Sequence, residues 1–317
     1  MNIPSPMTHT PQSLLRDNIQ LVSLPEVCMQ VQAMAEDPTC GADDLGQLIA
    51  KDTALTSRLL KLVNSAFYGF SSRVETVTRA VSLVGIAELR NITLAASATE
   101  VFADIPGDLM DMVSFWRHSV FTGLVARKLA AECHVLHHER LFTAGLLHDV
   151  GRLLIFLRLP EQASEILASG RETHGDLCEL ERAILGFDHA EAGAELLQYW
   201  KLPPALCSAI RHHHAPAQAT EAPLEAAILH LANAITHYLE HADARSPSPY
   251  YDPYGALLNP RRALEEGLVV AAIPAEPVVW QHKGLAKADL EGIIIDSAHD
   301  FDEVLDLFYP LPSRSMT

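Results

Sequence analysis

Apolar residues recur at α-helical spacing through most of this 317-residue chain. In the segment GADDLGQLIAKDTALTSRLLKLVNSAFYG, leucine and isoleucine residues keep the spacing of one helix face on both sides of a break near Lys51 and Asp52. Further stretches rich in alanine, leucine and valine repeat the pattern, and the period-two alternation of strands is nearly absent. The sequence therefore predicts an all-α fold.

Segments rich in proline and polar residues divide the predicted helices. The polar, proline-containing start of the chain predicts a flexible tail over residues 1–13. The DIPGD segment at 104–108 predicts a turn between an N-terminal helical lobe, 14–107, and a second helical lobe, 108–240. The remaining residues, 241–317, are predicted to form a loop rich in Pro, Asp and Ser and a C-terminal helical extension that packs on the rest.

The composition narrows the class of protein. Acidic residues outnumber basic ones by 40 to 23, and the net charge of −17 disfavours binding to nucleic acid or to an acidic membrane. The five cysteines are widely spaced and form no CxxC pair, which is typical of reduced core thiols and not of structural zinc. The N-terminus lacks the pattern of a signal peptide, and no apolar run reaches the roughly 18 residues of a membrane span. We therefore expect a cytoplasmic protein with neither nucleic acid nor membrane as a partner.

One histidine and a His-Asp pair fall at apolar positions of the predicted helices. In FWRHSVFTGLVARKL, His118 shares a helix face with Phe121 and Val125 and so points toward the core. His148 and Asp149 stand side by side on a second apolar helix, GLLHDVGRLL, although an aspartate is almost never buried unpaired. Asp149 is therefore either a capping or salt-bridged residue or a metal ligand, and His118 alone is equally typical of an ordinary core histidine.

Two later segments add histidines at helix ends. His189 begins the helix of FDHAEAGAELL, where Asp188 could cap the helix and the small residues would let another helix approach closely. The three consecutive histidines of RHHHAP, 212–214, are by themselves typical of a solvated helix C-terminus. Histidine and aspartate together, without cysteine, form the ligand set of Fe, Mn, Ni or catalytic Zn. One aspartate and four or five histidines are therefore candidate ligands for one or two divalent ions.

These residues, in this order, resemble the metal site of the HD superfamily of metal-dependent phosphohydrolases, with His118 as the lone histidine and His148 and Asp149 as the His-Asp pair. His189, His213 and His214 resemble the additional ligands of HD-GYP phosphodiesterases. The resemblance therefore implies a metal-ligand set of His118, His148, Asp149, His189, His213 and His214. The blocks LPEVCMQVQAMAEDP, LIAKDTALTSRLLKLVNSAFYG, AVSLVGIAELRNITLAA and GFDHAEAGAELLQYWKLP resemble the HDOD domain, a bacterial relative usually found in signalling proteins. The resemblance covers about residues 14–240 and implies an HD-like helical domain preceded by an N-terminal helical lobe.

Three features depart from the family pattern. Asn233 stands where the HD site ends in an aspartate, and a neutral amide is a weaker metal ligand than a carboxylate. His230 and His237 lie on the same face of this predicted helix and are candidates to compensate. Arg152 replaces the lysine that follows many HD pairs and retains a charge suited to phosphate. The Gly-Tyr-Pro element of HD-GYP proteins is absent.

The resemblance implies a regulatory protein that acts by binding a signalling protein or a small ligand, since no general catalytic activity is attached to the HDOD domain. The alternative is a metal-dependent phosphohydrolase, acting on a cyclic nucleotide or another phosphodiester, in which Asp149 bridges two ions and Arg152 steadies a phosphate. A third interpretation keeps the metal as a structural or sensing element without turnover. Phe67 and Tyr68 of NSAFYG resemble an HDOD hallmark, and we expect them to shape a contact between the lobes or, if exposed, with a partner.

Overall fold

Helices build the computed structural model of this chain. The structure describes residues 9–16, 22–65, 67–103, 105, 110–173, 177–243, 260 and 273–309, and within these ranges it contains no strand. The predicted all-α fold is therefore confirmed. The α-helices used below are, in chain order, α1 (Glu26–Ala35), α2 (Ala42–Ile49), α3 (Thr53–Val63), α4 (Val77–Val84), α5 (Ile86–Val101), α6 (Met112–Glu132), α7 (Arg140–Leu147), α8 (Val150–Arg158), α9 (Pro160–Thr173), α10 (Leu177–Leu185), α11 (His189–Tyr199), α12 (Pro204–Arg211), α13 (Pro223–Asp243) and α14 (Leu290–Phe308).

Local sequence signals define the breaks between the first helices. The carboxylate of Asp52 accepts a hydrogen bond of 2.9 Å from the backbone N–H of Leu55 and so caps α3. Gly85, with φ at +87°, joins α4 to α5, and the two helix axes differ in direction by 116°. No single helix in the described ranges is long and apolar enough to span a membrane, and the bent pair α4–α5 reaches that length and apolarity only when both helices are counted.

Helix α6 is the central element of the second half of the chain. It packs against α7, α13 and α14, and α14 also contacts α3 and α5. Phe121 of α6 meets Phe301 of α14 edge to face, with ring centroids 5.5 Å apart, and both rings are buried. The C-terminal helix therefore contacts helices from both halves of the chain.

A close backbone contact between α8 and α11 positions the candidate site. A Cβ atom on Gly151 would collide with the carbonyl oxygen of His189, and one on Gly193 would lie 3.2 Å from the backbone nitrogen of Gly151. Because glycine has no Cβ, the two helices approach closely enough to bring His189 beside the start of α8.

Several predicted boundaries lie outside the described residues. These are most of the tail at 1–13, most of the turn at 104–108 that was predicted to separate the two lobes, and most of the loop that follows α13. Close to the predicted tail, Leu14 is buried, and its carbonyl oxygen accepts a hydrogen bond of 2.7 Å from Nε of Arg158 on α8.

Phe67 lies inside the protein. Its side chain is 3% exposed and packs edge to face on Phe142 of α7, with ring centroids 4.8 Å apart. The guanidinium of Arg127 on α6 lies 3.8 Å from the centre of the Phe67 ring. Phe67 therefore belongs to the contact between the N-terminal helices and α6–α7. The alternative prediction, a partner contact through an exposed Phe67, is wrong because the ring is buried.

Candidate metal centre

Asp149 lies at a break between two helices. Helix α7 ends at Leu147 and α8 begins at Val150, and Asp149 adopts φ −103° and ψ 5°. The prediction that His148 and Asp149 stand within one helix was wrong, because the apolar spacing continues unchanged across a break of two residues. Both side chains are buried, with 0% of His148 and 1% of Asp149 exposed.

Three histidines surround one oxygen of the Asp149 carboxylate. The Nε2 atom of His189 lies 3.0 Å from Oδ1, and the Nε2 atoms of His148 and His213 each lie 3.6 Å from the same oxygen. These residues come from α11, from the α7–α8 break and from the segment that follows α12. The fold thus gathers side chains that are up to 65 positions apart around a single carboxylate oxygen.

Two further histidines extend this group. Nε2 of His118 on α6 lies 3.4 Å from Nε2 of His148, and Nε2 of His214 lies 2.9 Å from Nε2 of His189. The structure therefore brings together all six residues that the sequence predicted as metal ligands. We call them the Asp149 cluster, which consists of His118, His148, Asp149, His189, His213 and His214.

Backbone carbonyls hold two of the rings through their other nitrogen. Nδ1 of His148 donates to the carbonyl oxygen of Gly145, and Nδ1 of His213 donates to that of Ile210, both at 2.7 Å. A carbonyl oxygen only accepts hydrogen bonds, so Nδ1 carries the proton. The Nε2 atom of each ring consequently faces Asp149 and is the nitrogen that would bind a metal.

Two buried glutamates hold two more rings in the same way. Nδ1 of His189 donates to Glu181 at 2.6 Å, and Nδ1 of His118 donates to Glu240 at 3.0 Å. Glu181 is 5% exposed and Glu240 2%. Neither glutamate was predicted from the sequence. The one available signal was that Glu240 follows Asn233 by seven residues and so shares its helix face.

Burial governs the protonation of the cluster. It lowers the pKa of His118 to about 4 and that of His148 to about 3, so both rings are neutral at pH 7. Burial opposes ionisation of Asp149, yet the positive charge of neighbouring side chains, Arg152 among them, holds the pKa of this carboxyl well below its ordinary value. Burial and Arg152 likewise oppose protonation of His189, but the carboxylate of Glu181 holds the pKa of that ring well above its ordinary value.

Asn233, which stands where the family pattern has an aspartate, lies beside the Asp149 cluster. Its Oδ1 atom lies 3.0 Å from Nε2 of His118, and the residue is 4% exposed. His230 and His237, the candidates to compensate for it, use their Nδ1 atoms elsewhere. Nδ1 of His230 donates to the carbonyl oxygen of His213 at 2.8 Å, and Nδ1 of His237 lies 3.1 Å from Glu240. These contacts hold residues of the cluster or their supports in place.

Arg152 reaches the cluster from the first turn of α8. Its Nε atom lies 3.7 Å from Oδ2 of Asp149, and its Nη2 atom lies 3.5 Å from Nε2 of His189. The side chain is 6% exposed. A full positive charge is thus buried next to the only carboxylate of the cluster.

The cluster offers two overlapping sets of donor atoms that share Asp149. In each set the donor atoms lie within 4.8 Å of one another. A divalent ion fits these residues, because the Nε2 lone pairs face each other and a carboxylate, and such groups repel one another unless a cation or a proton lies between them. Imidazole and carboxylate together are ligands of Fe, Mn, Ni and Zn. The first set is His118, His148 and Asp149, and the second is Asp149, His189, His213 and His214.

Comparison with known proteins identifies the family and the fold of this chain. The family model of the HDOD domain matches residues 21–216. The fold resembles the crystal structure of an HDOD domain protein with unknown function from Geobacter sulfurreducens, with a TM-score of 0.63 and 22% identity over 92% of this chain and 97% of that one. It also resembles a protein from Shewanella amazonensis SB2B that is named a putative phosphohydrolase, with a TM-score of 0.61 and 25% identity over the same shares of the two chains.

A relative known from its sequence is an uncharacterized protein of Treponema pallidum (strain Nichols). It is 31% identical over 193 residues, which are 60% of this chain and 37% of that protein. The match therefore spans little more than a third of the relative's length. Because the family model covers well over half of this chain, the protein belongs to the HDOD domain family.

Proposed function

We propose that this protein is a signal-transduction regulator that holds one or two divalent metal ions in the Asp149 cluster. It acts by contact with a signalling protein or a small ligand and not by turnover. The observation that carries this proposal is the burial of the donor set. His118, His148, His189 and His213 are 0% exposed, and Asp149 is 1% exposed.

The burial of the donors favours a structural or sensing use of the metal. A bound divalent ion would supply Lewis-acid chemistry to any phosphate oxygen that reached it. In this conformation the side chains that would hold the ion also cover it. Only His214 in the cluster is partly exposed. A phosphodiester would therefore have to displace packed residues before it approached the donor atoms.

The positions of the donors suggest how a metal would regulate. They come from α6, the α7–α8 break, the start of α11 and the segment after α12, so an ion would join four separate parts of the chain. Binding of a ligand to the folded state alone stabilises that state. Loss of the ion would loosen these helices against each other and alter the surface that a partner meets.

Metal analysis of the untagged chain tests the proposal. We expect tightly bound divalent metal in the wild-type protein and in His137→Ala, which changes an exposed histidine outside the cluster. We expect none in Asp149→Ala. Metal without hydrolysis of bis(p-nitrophenyl) phosphate or a cyclic dinucleotide supports the regulator, whereas a wild-type protein without tightly bound metal would contradict it.

The second candidate function is a metal-dependent phosphohydrolase. It is favoured by Arg152, a buried cation 3.7 Å from Asp149 that would steady a phosphate, and by the name of the Shewanella amazonensis protein. In this function Asp149 would bridge two ions. Turnover of either phosphodiester that disappears in Asp149→Ala, while the variant stays folded, would establish this candidate in place of the first.

A further inference from the structure

We infer that Arg152 is a built-in cation of the Asp149 cluster and that the cluster consequently holds one divalent ion and not two. The inference rests on the proposed function, because it concerns the same cluster and sets the number of ions. Arg152 follows Asp149 by three residues, in the first turn of α8, and its backbone N–H donates to the Asp149 carbonyl at 2.9 Å. This short connection keeps the guanidinium beside the carboxylate.

The two oxygens of Asp149 face different neighbours. Oδ1 lies 3.0 to 3.6 Å from the Nε2 atoms of three histidines. Oδ2 lies 3.7 Å from Nε of Arg152. A carboxylate that bridges two ions offers one oxygen to each. Here the guanidinium stands at the oxygen that a second ion would need.

Arg152 also lies beside a second donor atom that an ion would need. Its Nη2 lies 3.5 Å from Nε2 of His189. A guanidinium only donates hydrogen bonds and stays protonated. The guanidinium therefore places a positive charge beside the His189 nitrogen that an ion in the second donor set would require. In the first donor set, Nδ1 of His118 donates to Glu240 and Nδ1 of His148 donates to the carbonyl oxygen of Gly145, which leaves the Nε2 lone pairs of both rings for an ion.

The balance of buried charge points in the same direction. The carboxylates nearest the donor atoms belong to Asp149, Glu181 and Glu240, each at most 5% exposed. Nearby Asp188 forms its own ion pair with Arg182. Since imidazoles bind metal in their neutral form, three carboxylates, the guanidinium of Arg152 and one dication reach electroneutrality. A second dication would leave two positive charges uncompensated in a buried site, which is strongly unfavourable.

Metal titration of matched arginine variants tests this inference. The full untagged chain is stripped of metal and titrated with Mn²⁺, and electron paramagnetic resonance distinguishes single ions from spin-coupled pairs. Asp149→Ala supplies the background from surface histidines. We expect one tightly bound ion in the wild-type protein and two, as a coupled pair, in Arg152→Gln. The control Arg158→Gln removes the same charge from the other end of α8, where the arginine contacts Leu14, and we expect it to keep one ion.

The possible outcomes separate the two proposals. A wild-type protein with two tightly bound ions overturns the inference about Arg152 and leaves the proposed metal-binding function standing. The same holds if Arg152→Gln folds, as judged by circular dichroism, and still binds one ion. If Arg152→Gln fails to fold, the wild-type count and Arg152→Met decide in the same manner. No tightly bound ion in any of these proteins overturns both proposals.

Discussion

Two buried polar clusters in this protein show how a candidate metal site differs from a structural cluster. In the first, which we call the Glu88 cluster, Tyr68 donates a hydrogen bond of 2.8 Å to Glu88, and Arg127 supplies a nearby positive charge. In the Glu88 cluster a hydrogen-bond donor, the Tyr68 hydroxyl, therefore faces an acceptor. In the Asp149 cluster an acceptor faces another acceptor, since Nε2 of His118 and Oδ1 of Asn233 lie 3.0 Å apart. A cation or a proton stabilises a buried group of facing lone pairs, whereas the Glu88 carboxylate already accepts a hydrogen bond from Tyr68.

Removal of metal should distinguish the two clusters most strongly. A chelator should lower the free energy of unfolding of the wild-type protein by about 2.7 kcal/mol if the ion is present at about 100 times its Kd. The physical reason is that the ion binds only the folded arrangement of its ligands. Thermal or denaturant unfolding with and without chelator measures the effect.

Variants of each cluster provide the control for that experiment. Asp149→Asn should abolish the effect of the chelator, and Glu88→Gln should leave it unchanged. A chelator effect of equal size in Asp149→Asn would show that the stabilising metal binds elsewhere.

The pH dependence of stability should depend on the Glu88 cluster. Burial raises the pKa of Glu88 from 4.5 to about 7, and Glu139 adds to the shift, while Tyr68, Arg127 and Asn91 oppose it. The folded state therefore holds this proton more tightly than the unfolded state. The stabilisation is present below pH 4.5 and is lost as the pH rises from about 4.5 to about 7.

The difference between the wild-type protein and Glu88→Gln isolates this contribution. The glutamine can still accept the hydrogen bond from Tyr68 but does not titrate. We expect the free energy of unfolding of the wild type, relative to the variant, to fall by about 2 kcal/mol between pH 4.5 and 7. Denaturant unfolding at each pH measures it, and parallel pH profiles for the two proteins would contradict a raised pKa for Glu88.

Replacement of asparagine by aspartate should affect the clusters differently. In Asn233→Asp, an anionic oxygen would lie near Nε2 of His118, and metal affinity should rise roughly tenfold, or about 1.4 kcal/mol. The matched change Asn91→Asp alters an asparagine of similar burial beside Glu88 and should leave metal affinity unchanged. Competition with a chelator of known affinity measures both. An equal rise in the two variants would mean that net charge, and not ligation, determines affinity.

Apolar spacing was sufficient to predict the helices, and the resemblance to the HD superfamily identified the six clustered residues. Apolar spacing predicted helices on either side of Lys51 and Asp52, and the side chain of Asp52 caps α3 as a local hydrogen-bonding rule requires. The face on which His118 lies follows from its neighbours three and seven positions away. These inferences succeeded because they depend on interactions between residues that are close in the chain. The same rules failed at His148 and Asp149, where a two-residue break leaves the apolar spacing intact.

The residues that hold the histidine rings in place could be identified only from the tertiary structure. Glu240 holds His118 although 122 positions separate them, and Glu181 lies on a different helix from His189. Helical spacing identifies which face of a helix is buried, but it does not identify which helix packs against that face. The six residues of the Asp149 cluster were therefore predicted from the sequence through the family resemblance. The contacts of Asn233 with His118 and of Arg152 with His189 arise only when α6, α8, α11 and α13 pack together.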